Sequence, residues 1–173
     1  RAKEDRGVLD FEDVLVLTAG ILQDYPAIAQ RIHRQYRSFV VDEYQDVSAL
    51  QHHVLNLWLG GRHDICVVGD VAQTIYSFAG ASPRYLQDFA QEHKGARVVQ
   101  LVRDYRSTPQ IVSAANTLMK GEHSSVLKGA VKLVSQRDDG VPVEYQSYAD
   151  DNDEAVGIAR QIRKLHDLSL IHI

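Results

Sequence analysis

Apolar positions along the chain come in two textures, and the order in which they alternate predicts the elements. Leu9, Val14, Leu15, Leu17, Ile21 and Leu22 fall near helical spacing. Asp10 is placed to cap that helix, and Asp13 adds negative charge to its first turn. Ile28, Ile32 and Tyr36 recur every fourth residue and predict a second helix over 26–36. Phe39-Val40-Val41 is too brief for a helix, and its β-branched residues suit a buried parallel strand. Ser48 then caps a helix with the stripe Leu50, Val54, Leu57 and Trp58, ended by Gly60-Gly61. Ile65-Cys66-Val67-Val68 is a second continuous run, stopped by Gly69. A helix between two such strands describes a right-handed βαβ crossover.

The pattern continues with a helix from Ser82-Pro83 that turns Tyr85, Leu86 and Phe89 inward. A third strand is expected over 97–102, through Val98, Val99 and Leu101. Thr108-Pro109 opens a helix through Ile111, Val112, Ala115 and Leu118. After Met119 the texture changes to a polar loop over 120–125 and a short strand over 131–134. Val141, Val143, Tyr145 and Ser147 alternate like a half-exposed strand. Asp150 to Asp153 cap a last helix through Ala155, Ile158, Ala159, Ile162 and Leu165. The fold class is therefore α/β, built on a parallel sheet.

Composition narrows the picture only slightly. Of 173 residues, 45% are hydrophobic and 24% charged, enough apolar surface to exclude disorder as the main state. No apolar run approaches the roughly 20 residues that cross a bilayer. A net charge of −4 gives no basic signature, yet a local groove can bind nucleic acid on an acidic average. The one cysteine, Cys66, makes no internal disulfide, which fits a reducing, cytoplasmic setting, and within its strand it is expected in the core. Arg31, Arg34 and Arg37 read as a solvated helix face. His52 and His53 point about 100° apart on a helix and do not chelate together. The charged start without initiator Met reads as a cut inside a longer protein, and the end over 168–173 carries no stop signal.

Chemistry gathers where the strands end, since ligands of open parallel sheets bind outside the carboxyl ends of the strands. The first strand delivers Asp42-Glu43-Tyr44-Gln45-Asp46, the second Gly69-Asp70 with Gln73-Thr74, and the third Arg103-Asp104-Tyr105-Arg106-Ser107. Phosphoryl transfer needs this inventory: a carboxylate for Mg²⁺, a group that orients water, and a cation against developing phosphate charge. Asp42 is the expected magnesium group and Glu43 the base, with a helix cap or solvated turn as the competing role. Gln73 can sense a terminal phosphate. Tyr76 and Phe78 can offer faces to nucleic-acid bases, or else fill the core.

These residues resemble the UvrD/Rep-type superfamily 1 DNA helicases. Val41 to Asp46 looks like the family's Walker B motif, usually DEFQD. Gly69-Asp70 through Gln73-Thr74-Ile75-Tyr76 to Gly80-Ala81 looks like its third motif. Leu101 to Ser107 with Thr108 and Ala114-Ala115-Asn116 looks like its fourth, and Leu9-Asp10-Phe11 matches a segment upstream of Walker B. The resemblance implies a RecA-like parallel-sheet motor domain, represented over 1–106 by its C-terminal part. The start of a second RecA-like domain is expected over 107–173. It implies ATP and Mg²⁺ as cofactors, with Asp42 on the metal and Glu43 activating water. Gln73 would link the γ-phosphate to the DNA site, Tyr105 would stack on adenine, and Arg106 would reach the γ-phosphate. Tyr76 and Phe78 would stack on single-stranded DNA, and duplex junctions would be the substrate. Phe78 stands where the family commonly has Trp, Ala79 where it has Arg, and Asp104 where it has Asn. Val71-Ala72 replace residues that are often acidic. A helicase–nuclease motor and a degenerate motor kept as a DNA- or protein-binding module are the competing assignments.

No Gly-x-x-x-x-Gly-Lys-Ser/Thr occurs in the chain, so the backbone cradle and lysine for the phosphates lie elsewhere. The purified 173-residue chain should therefore hydrolyse no ATP. Mg²⁺-dependent phosphate release above background would contradict this.

Overall fold

The computed structural model describes residues 3, 6–120 and 130–168. Most of the loop expected over 120–125, residues 1–2 and 4–5 of the charged start and the tail beyond Leu168 lie outside the described residues. Helix α1 spans Phe11–Asp24 and begins where expected, at Asp10. Asp10 Oδ1 accepts from Asp13 N at 2.9 Å, while Asp13 Oδ2 accepts from Asp10 N at 3.0 Å, a reciprocal capping box. Lys3 donates to both carboxylates. Pro26 occupies the first turn of α2, Pro26–Gln35, where its missing N–H costs no helical bond. Ser48 and Gln51 form a second capping box for α3, Ala49–Leu59, and Gly60 ends it in the left-handed region at φ 61°. A Cβ at Gly60 would also meet the His33 ring, so the residue answers to packing as well as to φ. Ala19, Leu22, Ala29, Val54 and Leu59 form the buried seam where α1, α2 and α3 meet.

Strands β1, Phe39–Val41, and β2, Ile65–Val67, pair in parallel, with Phe39 opposite Ile65, Val40 opposite Cys66 and Val41 opposite Val67. Helix α3 is the crossover between them. Trp58 of α3 packs edge-on to Phe39 at 5.6 Å and to Tyr36 at 5.4 Å, which covers one face of the pair. Side chains alternate across a strand, so Val40, 78% exposed, and its register partner Cys66 turn to the other face. The core position expected for Cys66 is thus corrected: the thiol is exposed.

Arg62 holds this layer together. Its Nε donates to Leu59 O at 2.7 Å and its Nη2 to Trp58 O at 3.1 Å, at the end of α3. Its Nη1 donates to His33 O at 2.9 Å and Tyr36 O at 2.8 Å, at the end of α2. One guanidinium thereby satisfies orphan carbonyls of two helix C-termini, where a cation also meets the negative end of each dipole.

The later elements depart more from expectation. The helix expected from Ser82-Pro83 is two short ones, α4 at Arg84–Gln87 and α5 at Phe89–Glu92, interrupted at Asp88, whose ψ of −4° breaks the regular turn. Residues 97–102 form no strand, and Val98, Val99 and Leu101 are exposed. Strand β3 is instead Arg103–Asp104, parallel to β4, Val134–Ser135, in a second sheet. An apolar run becomes a strand only where a neighbour supplies the ladder, and here β4 reaches only its last residue, with Val134 N donating to Val102 O at 2.8 Å. Helix α6, Pro109–Leu118, follows Thr108 as expected. Its Asn116 grips Leu133 through both backbone groups, at 2.9 and 3.1 Å. Residues 141–147 are unpaired, and α7, Asp151–Asp167, is capped by Asp150 through Asp153 N at 2.9 Å. These parallel sheets with flanking helices are a RecA-like motor architecture. Among the described residues, no helix is long and apolar enough to cross a membrane.

Arg62→Ala should lower the unfolding free energy in urea by about 2–3 kcal/mol, and Arg62→Lys, lacking the fork, should recover less than half of it. A loss within about 0.5 kcal/mol, the range of ordinary surface changes, would contradict the bracing role.

Candidate functional site

The exits of β1 and β2 lie side by side because the ladder continues past them. Val68 N donates to Val41 O at 2.8 Å, and Tyr44 N donates back to Val68 O at 2.9 Å. Between these bonds the chain turns sharply at Glu43, whose φ of 52° and ψ of 39° are left-handed. It is the one non-glycine residue with positive φ among the described residues. Such a conformation costs a β-carbon residue roughly 1–2 kcal/mol. Asp42 Oδ1 steadies the turn by accepting from Glu43 N at 2.9 Å, and both carboxylates are exposed.

What holds this turn is buried beneath it. Tyr44 and Gln45 are each 1% exposed, the most enclosed large side chains described. Tyr44 packs edge-on against Phe89 at 5.8 Å, and its burial pushes the phenol up to about 12. Nearby, His52 stacks on Tyr85 at 4.1 Å, and burial lowers its pKa against the opposing pull of Glu92. Gln45 uses both ends of its amide. Nε2 donates to Glu43 Oε2 at 2.7 Å and reaches Asp46 Oδ2 at 3.4 Å, while Oε1 accepts from Asp70 N at 3.0 Å. Asp70 passes the connection on: its Oδ1 accepts from Ala72 N at 3.0 Å and its Oδ2 from Gln73 Nε2 at 3.0 Å. Glu43 and Gln73, from different strand exits, are therefore joined by an unbroken hydrogen-bonded path. Gln45, Gly69 and Asp70 lie inside the sequence motifs, but spacing alone gives them no role. The visible signal was an amide flanked by acids just after a strand.

Tyr76 and Phe78 follow on the same segment, around a 3₁₀ turn at Ser77–Ala79 that closes on Gly80 at φ 85°. Their rings lie 6.0 Å apart, and they are 49% and 85% exposed, so the pair does not fill the core. The bridge between Ser48 and Ala81 ties the segment's far end to the start of α3.

The third cluster stands on the second sheet. Asp104 Oδ1 accepts from Arg106 N at 2.7 Å and Ser107 N at 2.8 Å, forming a turn that presents Tyr105 and Arg106 to solvent. An asparagine oxygen would accept the same bonds, which accounts for Asp at this position. The Ser107 and Arg106 amides hold the Asp104 carboxyl below its ordinary range, so the turn keeps a charged acceptor until pH falls beneath that range. Arg137 Nη1 adds a bond to Arg106 O at 3.1 Å. Among the described residues, no hydrogen bond or ion pair joins the Arg106 side chain to the acidic turn. The structure thus brings Asp42, Glu43 and Gln73 together and holds Tyr105 and Arg106 on a separate sheet.

The donor set suits a nucleotide with its metal. Mg²⁺ on phosphates takes one or two carboxylates plus water, and Asp42 has Oδ2 without a partner among the described residues. An exposed tyrosine face such as Tyr105 suits a purine.

Comparison with known proteins places the chain in a family. The UvrD/REP helicase N-terminal domain family matches residues 1–94. The ATP-dependent DNA helicase UvrD2 of Mycobacterium tuberculosis is 47% identical over 158 residues, covering 91% of this chain and 23% of that protein. The ATP-dependent DNA helicase PcrA of Leuconostoc citreum is 32% identical over 159 residues, 92% of this chain and 21% of that protein. The putative ATP-dependent DNA helicase YjcD of Bacillus subtilis is 29% identical over 165 residues, 95% of this chain and 21% of that protein. The chain spans less than a quarter of the length of these relatives.

Asp104→Ala should speed hydrogen exchange of the Arg106 and Ser107 amides about tenfold, whereas Asp104→Asn should leave it unchanged. Equal exchange in Asp104→Ala and the parent sequence would contradict the turn's role.

Proposed function

The chain belongs to the UvrD/REP helicase family, and on that footing we propose that it carries the hydrolytic face of an ATP- and Mg²⁺-dependent DNA helicase or translocase. The observation that carries this reading is the hydrogen-bonded path from Glu43 through Gln45 and Asp70 to Gln73. A binding module has no need to hold a strained, exposed carboxylate in register with an amide from the next strand.

In this reading Asp42 holds the metal, which when bound neutralises phosphate charge. Glu43 takes the proton of the attacking water as its oxygen bonds to the γ-phosphorus, the bond to the β–γ bridging oxygen breaks, and ADP leaves. Gln73 orients the terminal phosphate. Arg106 offsets the charge that develops there, and Tyr105 stacks on the adenine. Tyr76 and Phe78 stack on single-stranded bases near duplex junctions, each contact worth roughly 1–3 kcal/mol. Their exposure supports that role.

Residues 1–106 would be the C-terminal part of the first motor domain and 107–173 the start of the second. The pairing of β3 with β4 supports drawing the boundary ahead of Arg103 instead, which assigns Tyr105 and Arg106 to the second domain. A cytoplasmic role in DNA repair or replication belongs to the same proposal.

Glu43→Gln in the full-length protein should reduce ATP hydrolysis at least about 100-fold while leaving nucleotide binding near its original strength. Unwinding at the parent rate in that variant would overturn the assignment.

A further inference from the structure

We infer that Gln45 is a positioning residue of the hydrolytic site, whose single buried amide sets the Glu43 carboxylate and the Asp70 peptide relative to each other. The inference rests on the proposed role of Glu43 and goes beyond it by assigning what aims that carboxylate.

The amide has only one workable orientation. Nε2 faces two carboxylates, Glu43 at 2.7 Å and Asp46 at 3.4 Å, and Oε1 faces the Asp70 N–H at 3.0 Å. Turned over, oxygen would meet carboxylate oxygen and NH₂ would meet N–H. Glutamate would bring a third carboxylate to the group, and an apolar residue would leave the Asp70 N–H without this acceptor. The surrounding backbone is shaped to the amide as well. A Cβ at Gly69 would lie 2.5 Å from Gln45 Oε1 and 3.2 Å from Gln45 N, so glycine leaves the space the amide occupies. Leu86 of α4 closes the same space, 3.0 Å from that position.

Glu43 needs such support. It is exposed, left-handed and long enough to take many rotamers, so without a partner its carboxylate spreads over many directions. A base held within hydrogen-bond reach gains by that restriction, because its reaction with water depends on alignment. Asp70, fixed by the other end of the amide, holds Gln73 at 3.0 Å, so one buried group sets the base and the phosphate-facing amide together.

The test uses the full-length protein with Gln45→Leu, Gly69→Ala and the double variant, compared by single-turnover hydrolysis at saturating ATP and single-stranded DNA. Rates are normalised to nucleotide-binding stoichiometry. Each single variant should lower the rate constant about 10- to 100-fold and leave the ATP dissociation constant within about threefold. The double variant should lose less than the product of the two single effects, because the tightest clash of a methyl at Gly69 is with the amide that Gln45→Leu removes. Gly69→Ala carries the test alone if Gln45→Leu fails to fold, since its amide is present but displaced. A rate within twofold of the parent, a loss accounted for by fewer binding-competent molecules, or multiplying effects would overturn the inference. Silence at Gln45 with Glu43→Gln inactive would remove this inference only, whereas an active Glu43→Gln would remove the reading beneath it.

Discussion

Everything at the site depends on the parallel register of two three-residue strands. With Val41 set opposite Val67, the next two ladder bonds, Val68 to Val41 and Tyr44 to Val68, carry the pairing beyond the strands. Both chains therefore leave the sheet at the same level and on the same side. Two acidic segments far apart in sequence become neighbours without a long-range salt bridge between them. A slip of one residue would turn Phe39 away from Trp58 and expose it, so the α3 packing defends the register that the site needs.

The supports around this pairing are polar as much as apolar. Arg62 closes the ends of α2 and α3, and Gln45 closes the space between the two strand exits. In both places one planar side chain satisfies several backbone or carboxylate groups, which suits guanidinium and amide better than any flexible amine. Apolar burial is one-sided by comparison. Val40, Cys66 and Val68 remain on the uncovered face of the sheet, and Phe11 and Leu17 are exposed on α1. The left-handed turn at Glu43 fits this picture as local strain held in place by buried neighbours.

Local signals were legible in the sequence and long-range ones were not. Asp10, Ser48, Gly60, Thr108 and Asp150 mark helix ends because capping involves residues only a few positions apart. Strands β1 and β2 were legible as short apolar runs, and the motif residues stood at their ends. Which face each apolar residue takes depends on what packs there, so composition does not show that Cys66 is exposed. Residues 97–102 have the composition of a strand, but the ladder partner, β4, meets Arg103 and Asp104 instead. The role of Gln45 was hidden for the same reason. Its burial follows from Gly69 and Leu86 arriving from other elements, which no spacing within one motif reveals.

In the proposed function, side chains from both sheets serve one triphosphate. A crystal structure of the full-length protein with Mg²⁺ and a non-hydrolysable ATP analogue addresses it directly. The metal should sit on Asp42, a water between Glu43 and the γ-phosphate, and Gln73 and Arg106 on that phosphate from opposite walls of a cleft. A nucleotide bound with Arg106 turned away on a remote face, or with Asp42 and Glu43 outside its reach, would contradict it.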